Sequence, residues 1–220
     1  KIVDVLDMDL LIVNTLYFKG QWHTKFEKDL TTDRDFYLSD SSKIQVPTME
    51  LEDTIRFATA EKYIIVELPY SQGNFVMDLI LPQNDNTTDS ILDILPTLNS
   101  MTKELTIAQI TIHLPKFEFY YSNNQLAGII DNKMPLAFTD LADFSKMVTP
   151  GVFIDKVIQK TYIKTDEEGT EAVAATGFSF LPTSAIPTEI NFDRPFIFII
   201  REVSTNTVMF VGKVADPSKQ

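Results

Sequence analysis

Histidine and cysteine, two residue types that often carry out catalysis, are rare or missing in this chain, and its other polar residues are not spaced for catalysis. There are two histidines and no cysteine. Neither His23 nor His113 has a second ligand at metal-binding spacing, such as His-Glu-x-x-His. His23 lies beside a tryptophan and His113 lies within a strand pattern, so we expect both to be structural or surface residues. The acidic run at residues 166–168 could suit a metal or a general acid, but such runs are more typical of a solvated face.

The common sequence motifs for nucleotide binding and for a catalytic nucleophile are also missing from the sequence. There is no Gly-x-Gly-x-x-Gly or phosphate-binding loop, and no Gly-x-Ser-x-Gly turn for a nucleophile. The net charge is −12, from 31 acidic and 19 basic residues, which disfavours a nucleic-acid partner. No apolar run approaches the roughly 20 residues of a membrane-spanning helix. We therefore predict no catalytic residue, metal or cofactor, and neither a nucleic-acid nor a membrane partner.

One segment, residues 168–187, is unusual because about twenty residues rich in Gly, Ala, Thr, Ser and Pro separate two strong strand patterns. A loop of that length is usually functional or disordered. It is not composed as a flexible linker, since it contains Phe178, Phe180 and Leu181. The segment therefore has apolar side chains to bury.

With the period of two that a strand has, this segment divides into two faces. One face is uncharged throughout: Thr170, Ala172, Ala174, Thr176, Phe178 and Phe180. The other carries Glu171, Val173, Ala175, Gly177 and Ser179. Small, uncharged residues on one face would let the segment slide between existing strands. The pattern therefore predicts a loop that can become a strand.

The elements that must position this loop are mostly strands. Segments with β-branched and aromatic residues at period two are Leu10 to Phe18, Lys43 to Thr48, Thr54 to Ala58, Tyr63 to Leu68, Phe75 to Leu81, Gln109 to Phe119, Val152 to Lys164, Pro195 to Glu202 and Val208 to Val214. Helices are predicted at Thr88 to Leu98 and at Ser122 to Ile130. Turn residues at 69–74 predict a hairpin loop between two strands.

Several motifs, in order along nearly the whole chain, resemble those of one family. They are Phe18-Lys19-Gly20-Gln21-Trp22 at the end of a strand, Val46-Pro47-Thr48-Met49, Glu67-Leu68-Pro69-Tyr70, Leu114-Pro115-Lys116-Phe117, Ala142-Asp143-Phe144-Ser145, Glu167-Glu168-Gly169-Thr170-Glu171-Ala172, Asp193-Arg194-Pro195-Phe196 and Phe210-Val211-Gly212-Lys213-Val214. The chain resembles the C-terminal portion of a serpin, a serine protease inhibitor. The resemblance implies an α+β fold with mixed β-sheets and peripheral helices, in a single domain over residues 1–220.

The resemblance also implies a mechanism. Residues 168–187 correspond to the reactive-centre loop, which a target protease attacks as a substrate and which then inserts into the central sheet. Its proximal hinge comprises Glu168, Gly169, Thr170, Glu171, Ala172, Val173, Ala174, Ala175 and Thr176. The implied partner is a serine protease, with a cysteine protease as a further option. The implied function is suicide-substrate inhibition; the alternative is a non-inhibitory carrier, chaperone or storage protein.

The family's spacing from the hinge glycine places the reactive bond at Thr183-Ser184. Counting back from Pro195-Phe196 permits Ser184-Ala185 instead. A small Thr183 suits a protease with a shallow, uncharged primary pocket, such as an elastase-like enzyme. Cleavage at Phe180 or Leu181 would suit a chymotrypsin-like or cathepsin-like protease, but would shorten the inserted arm.

Three more residues correspond to family positions in the sheet. Trp22 matches the tryptophan of the breach, where the loop first enters the sheet, and Asn14 matches the asparagine of the shutter region beneath it. Many serpins pair that asparagine with a histidine, whereas this chain has Gln159. An amide can still donate and accept a hydrogen bond, so we expect altered control of sheet opening rather than loss of function.

The family's early helices and several strands precede the position of Lys1, so the helical N-terminal part lies outside this chain. We expect a monomer. The resemblance favours secretion, and the absence of cysteine is compatible with an intracellular location as well.

Overall fold

A computed structural model describes residues 10–84, 87–89, 95–123, 126–148, 151–170 and 188–219. The strands are β1 (Leu10–Tyr17), β2 (Gly20–Gln21), β3 (Thr32–Tyr37), β4 (Lys43–Thr59), β5 (Tyr63–Tyr70), β6 (Phe75–Pro82), β7 (Thr106–Pro115), β8 (Phe117–Asn123), β9 (Ile154–Thr165), β10 (Gly169–Thr170), β11 (Thr188–Asn191), β12 (Phe196–Glu202) and β13 (Val208–Val214). Two short α-helices are α1 (Leu98–Met101) and α2 (Leu126–Asp131), Thr88 and Asp89 are helical as well, and short 3₁₀ turns lie at Lys28–Leu30, Leu95–Thr97, Thr102–Glu104 and Pro135–Phe138.

The chain divides into two compact units, each made of two stretches of sequence. One comprises residues 1–18 with 119–163, and the other residues 19–118 with 164–220. The prediction of a single domain over residues 1–220 stays a prediction.

The larger unit contains an eight-stranded mixed sheet among its described residues. The strand order is β11-β7-β4-β5-β6-β12-β13, and β3 pairs with β4 beside this path. The β11–β7 pair is parallel, whereas the other pairs are antiparallel. Most residues of strands β5, β6 and β12 are buried; both faces are largely apolar, and the buried carboxylates of Glu67 and Asp78 pair with the buried Arg201.

The core of this sheet is closed by the short helix α1. Its Leu98 and Met101 pack against isoleucines of three adjacent strands. Those isoleucines are Ile65, Ile80, Ile197 and Ile199. Full burial of each such side chain stabilises the fold by about 1.5–3 kcal/mol, so the sheet is a stable support for the loops that leave it.

The smaller unit contains a three-stranded sheet with the order β1-β9-β8. Strands β1 and β9 are parallel and in register from Leu11 opposite Lys156 to Tyr17 opposite Tyr162, after an irregularity at Leu10. Strand β9 is followed by the predicted loop, so this sheet contains the strand from which the loop leaves.

Most predicted strands agree with the structure, but three of them differ in extent. The two strands predicted at Lys43 to Thr48 and Thr54 to Ala58 are one strand, β4. Its acidic residues do not interrupt it, since Glu50 forms an ion pair with Arg34 on β3 at 2.9 Å. The strand predicted at Gln109 to Phe119 is divided at Lys116, directly after a proline that cannot donate to a ladder.

The helix predictions are confirmed only in part. The segment predicted to begin at Ser122 stays in strand β8 to Asn123, and its helix is α2. Of the helix predicted at Thr88 to Leu98, Thr88 and Asp89 are helical, residues 90–94 lie outside the described residues, and a 3₁₀ turn and α1 follow. No helix within the described ranges has the length and hydrophobicity that crossing a bilayer requires.

Candidate functional site at the base of the predicted loop

A tight turn reverses the chain directly after β9. The amide of Asp166 donates to the carbonyl of Gly169 at 3.0 Å, and the amide of Gly169 donates back at 3.2 Å. Gly169 has φ of +138°, and a Cβ there would lie 2.7 Å from Cα of Gln21 and 2.8 Å from the amide nitrogen of Trp22. Only glycine fits this position, because any side chain would collide with backbone atoms.

Trp22 holds this turn from the opposite side. It is 3% exposed, its indole Nε1 donates to the carbonyl of Asp166 at 2.9 Å, and its amide donates to the carbonyl of Glu168 at 3.1 Å. Its ring stacks on Tyr70 with centroids 4.6 Å apart and meets the edge of Phe26 at 6.1 Å. Trp22 therefore fixes the place where the loop begins.

The first two residues after the turn already have strand geometry. Gly169 lies opposite Gln21 and Thr170 lies opposite Gly20, in an antiparallel pair of strands. Strand β2 follows β1 in the chain with only two residues between them. The loop thus begins as a strand that runs antiparallel to the chain leaving β1.

Glu167 is the buried member of the acidic run and ties the turn to two distant segments. It is 6% exposed, and its carboxylate accepts from Nζ of Lys116 at 2.9 and 3.0 Å and from Oγ1 of Thr31 at 2.8 Å. Burial raises the pKa of Glu167, but the hydrogen bonds outweigh that effect and hold it below its ordinary value of 4.5. The expectation of a solvated acidic run is therefore wrong for Glu167.

Glu168 makes a second, more exposed set of ion pairs. Its carboxylate lies 2.5 Å from Nζ of Lys25 and 3.0 Å from Nζ of Lys28. Hydrogen bonds from these lysines lower the pKa of Glu168. The two adjacent glutamates thus anchor the turn through different partners: Glu167 through Lys116 and Thr31, and Glu168 through Lys25 and Lys28.

We predict that Glu167→Gln lowers the thermal unfolding midpoint at pH 7. The amide keeps the shape of the side chain but loses the charge that faces Lys116, which costs about 1–3 kcal/mol. For a domain of this size each kcal/mol corresponds to about 2–4 °C. Because the folded-state pKa is depressed, this stabilisation is present above about pH 4.5 and lost as the pH falls through the lowered pKa.

The measurement is a thermal unfolding scan of the parent and the variant at pH 7 and at pH 3.5. Glu168→Gln is the matched control, since its carboxylate is more exposed and its loss should lower the midpoint less. A gap between the parent and Glu167→Gln that is as large at the acidic pH as at pH 7 would contradict the assignment.

The sequence-predicted shutter residues lie in the other unit. Asn14 on β1 is directly opposite Gln159 on β9, so both amides project to the same side of the parallel pair. Asn14 is exposed and Gln159 is half-buried. The structure therefore places these two residues opposite each other, and their role in the shutter stays a prediction.

Both histidines lie where a structural role is expected. Nδ1 of His23 donates to the carbonyl of Ser71 at 2.6 Å. His113 is 5% exposed within β7, and burial, together with the charge of Arg34, lowers its pKa. Within the described ranges, no group of three or more histidine and acidic side chains is arranged to hold a metal ion.

The rest of the predicted loop lies outside the described residues. This applies to hinge residues 171–176, to Thr183 and Ser184 at the predicted reactive bond, and to Phe180 and Leu181 at the alternative one. Glu168, Gly169 and Thr170 are the predicted hinge residues that the structure describes.

The partners of the hinge were missed at the sequence level. Lys116 and Thr31 are 51 and 136 residues from Glu167 along the chain, and no local pattern connects such distant residues. The available signal was Leu114-Pro115-Lys116-Phe117, where β7 ends at the proline and Lys116 lies between two strands.

Known proteins resemble this chain over nearly its whole length. The family model described as serpin (serine protease inhibitor) matches residues 2–217. Serine proteinase inhibitor 2 of rabbitpox virus is 33% identical over 96% of this chain and 63% of its own length. Leukocyte elastase inhibitor of Xenopus laevis is 33% identical over 94% of this chain and 58% of its own length. The chain thus spans between one half and two thirds of these relatives.

Solved structures show the same fold. Native protease nexin-1 with heparin has a TM-score of 0.84 and 26% identity, over 98% of this chain and 60% of that one. Human thyroxine-binding globulin has a TM-score of 0.86 at 24% identity, over 99% of this chain and 59% of that one. Because the serpin family model matches nearly the whole chain and the solved structures share its fold, the chain belongs to the serpin family.

Proposed function

We propose that the protein inhibits a serine protease as a suicide substrate, and that its cut loop enters the three-stranded sheet between β1 and β9. The observation that best supports this proposal is the direction of the chain at the start of the loop. β1 and β9 are parallel, and Gly169 and Thr170 run antiparallel beside the strand that follows β1. A segment that follows β9 through a turn has that direction if it is to pair with both strands once they separate.

Continuing the β10–β2 register down the chain predicts which residues would pair. Without a bulge, Ala174 comes opposite Leu16 and Ala175 opposite Thr15. Leu16 is half-buried and Thr15 is exposed. The small, uncharged face of the loop would therefore go to the side of β1 that carries the half-buried Leu10 and Leu16 together with the exposed Ile12 and Asn14, whereas Val13, Thr15 and Tyr17 on the other side are all exposed.

The same register gives the phenylalanines a place to be buried. Phe178 comes opposite Ile12, which is 40% exposed, and Phe180 comes opposite Leu10. Burying a phenylalanine stabilises by about 1.5–3 kcal/mol, and each new backbone hydrogen bond adds about 0.5–1.5 kcal/mol. The intact protein is then a metastable state that a kinetic barrier maintains.

The proposed chemistry belongs to the protease. Its serine hydroxyl attacks the carbonyl carbon of Thr183, the Thr183–Ser184 bond breaks, and the new amino group of Ser184 leaves with the proton that the protease's general base took from the serine. The loop is then an acyl ester on the protease. Gly169 to Thr183, at roughly 3.3 Å per residue, spans about 50 Å, so insertion would carry the protease across the sheet before water can hydrolyse the ester.

The identity of Thr183 supports an elastase-like target. It presents no basic side chain to an acidic primary pocket, and Pro182 precedes it. Attack at Phe180 or Leu181 by a chymotrypsin-like or cathepsin-like enzyme would leave a shorter arm to insert. Secretion is part of the proposal, with an intracellular protease target as the alternative.

The sheet residues have roles in the same proposal. Trp22 would hold the turn at the entry point, and Thr176 would pass between Asn14 and Gln159 as insertion proceeds. The side-chain amides of Asn14 and Gln159 would then both face the Thr176 hydroxyl, which can donate and accept a hydrogen bond.

The test is to mix the full-length protein with pancreatic elastase and separate the products on a denaturing gel. We expect a covalent band heavier than either partner, and a released peptide whose mass corresponds to a start at Ser184. A peptide that starts at Ala185, Leu181 or Pro182 would move the reactive bond. Clean cleavage with fully active elastase, and the same result with chymotrypsin-like and cathepsin-like enzymes, would reject inhibition in favour of a non-inhibitory serpin.

A further inference from the structure

Three tyrosine rings form a row across the three-stranded sheet. Tyr17 on β1 stacks against Tyr162 on β9 with centroids 6.2 Å apart and planes 6° from parallel. Tyr162 in turn contacts Tyr120 on β8 with centroids 4.6 Å apart. Tyr17 is 52% exposed and Tyr120 is 68% exposed. The row therefore lies on an accessible face of the sheet.

The two ring contacts cross different strand junctions. The Tyr17–Tyr162 contact spans β1 and β9, the junction that opens in the proposed function, whereas the Tyr120–Tyr162 contact spans β9 and β8. A strand inserted between β1 and β9 adds roughly 4.8 Å to their separation. The Tyr17 and Tyr162 rings would then be beyond the roughly 4.5–7 Å at which aromatic pairs attract.

This contact would be lost early in insertion. In the register continued from β10 and β2, Val173 comes opposite Tyr17, only three residues after Thr170. Val173 would therefore take the place between Tyr17 and Tyr162. The ring contact has to break before the small residues that follow can enter.

We propose that Tyr17 and Tyr162 form a clasp that sets the rate at which the sheet opens to receive the loop. This inference rests on the proposed function, and it adds two residues that position the sheet for insertion. The Tyr120–Tyr162 contact has no such effect, since its junction stays closed throughout. The Tyr17–Tyr162 contact is therefore the one expected to affect opening, and the Tyr120–Tyr162 contact, which shares the Tyr162 ring, is its matched control.

The experiment compares the full-length protein with Tyr17→Leu, Tyr17→Phe and Tyr120→Leu. The first readout is the rate of uptake of a synthetic peptide with the sequence of residues 170–183, followed by the rise in thermal midpoint. The second is the fraction of elastase trapped per molecule of protein consumed. We expect Tyr17→Leu to take up the peptide about three- to ten-fold faster, as expected for loss of one aromatic contact. Tyr17→Phe and Tyr120→Leu should match the parent.

The outcomes distinguish failure of the clasp from failure of the proposed function on which it rests. If Tyr17→Leu is no faster than the parent, or if Tyr120→Leu is accelerated equally, the clasp is wrong, because the effect is absent or is a general loosening of the sheet. If the parent takes up the peptide but traps no protease, the proposed function fails while the uptake rates still decide the clasp. If the parent does neither, both proposals fail.

Discussion

Ala174→Arg is expected to convert the protein from an inhibitor into a substrate of its target protease. The register that starts at Gly169 and Thr170 puts residue 174 opposite Leu16, which is half-buried. A guanidinium there would have to leave water without a partner, which is strongly unfavourable. Insertion should stop within the hinge, at or before residue 174, and hydrolysis of the acyl ester should then release active protease.

The matched control is Ala175→Arg, one residue further along the same hinge. That position comes opposite Thr15, which is exposed, so its arginine can remain in water. We expect the covalent band to disappear with Ala174→Arg and to persist with Ala175→Arg, at equal rates of initial cleavage. If Ala174→Arg traps elastase as well as the parent does, the inserted face is misassigned.

The faces of the loop stay a prediction from the sequence, since they depend only on a period of two and residues 171–187 lie outside the described residues. Small residues at alternate positions from Thr170 to Thr176 specify a strand with one uncharged side, whatever it pairs with. The structure contributes the pairing partner, since Gly169 opposite Gln21 and Thr170 opposite Gly20 determine the register. Together they predict a side for each hinge residue.

The contacts that hold the hinge could not be predicted, because their partners are far apart in sequence. The stack of Trp22 on Tyr70 and the ion pair of Glu167 with Lys116 depend on strand order in a large sheet. A local pattern does not encode that order. For the same reason the acidic run was expected to be solvated, although Glu167 is buried.

The tyrosine row is another arrangement that could not be predicted from the sequence. Tyr17 and Tyr162 are brought into register by the parallel pairing of β1 and β9, and Tyr120 comes from a third strand. Their spacing along the chain has no periodicity that would connect them. Strand β3 was also missed, because Asp33, Arg34 and Asp35 interrupt the alternation of polar and apolar residues that identifies a half-buried strand.

The thermal unfolding midpoint of the cut protein is expected to lie far above that of the intact protein. On the order of ten new backbone hydrogen bonds, at about 1 kcal/mol each, would raise the midpoint by roughly 20 °C or more. The protein cut between Thr183 and Ser184 should also resist a second protease at residues 170–183, because a paired strand is a poor substrate. Ala174→Arg, cut at the same bond, should gain much less.

The most direct measurement is therefore a pair of thermal scans, on the intact and on the cut full-length protein. Insertion between β1 and β9 predicts a large upward shift together with protection of residues 170–183. An unchanged midpoint, with the severed arm still open to proteolysis, would contradict insertion.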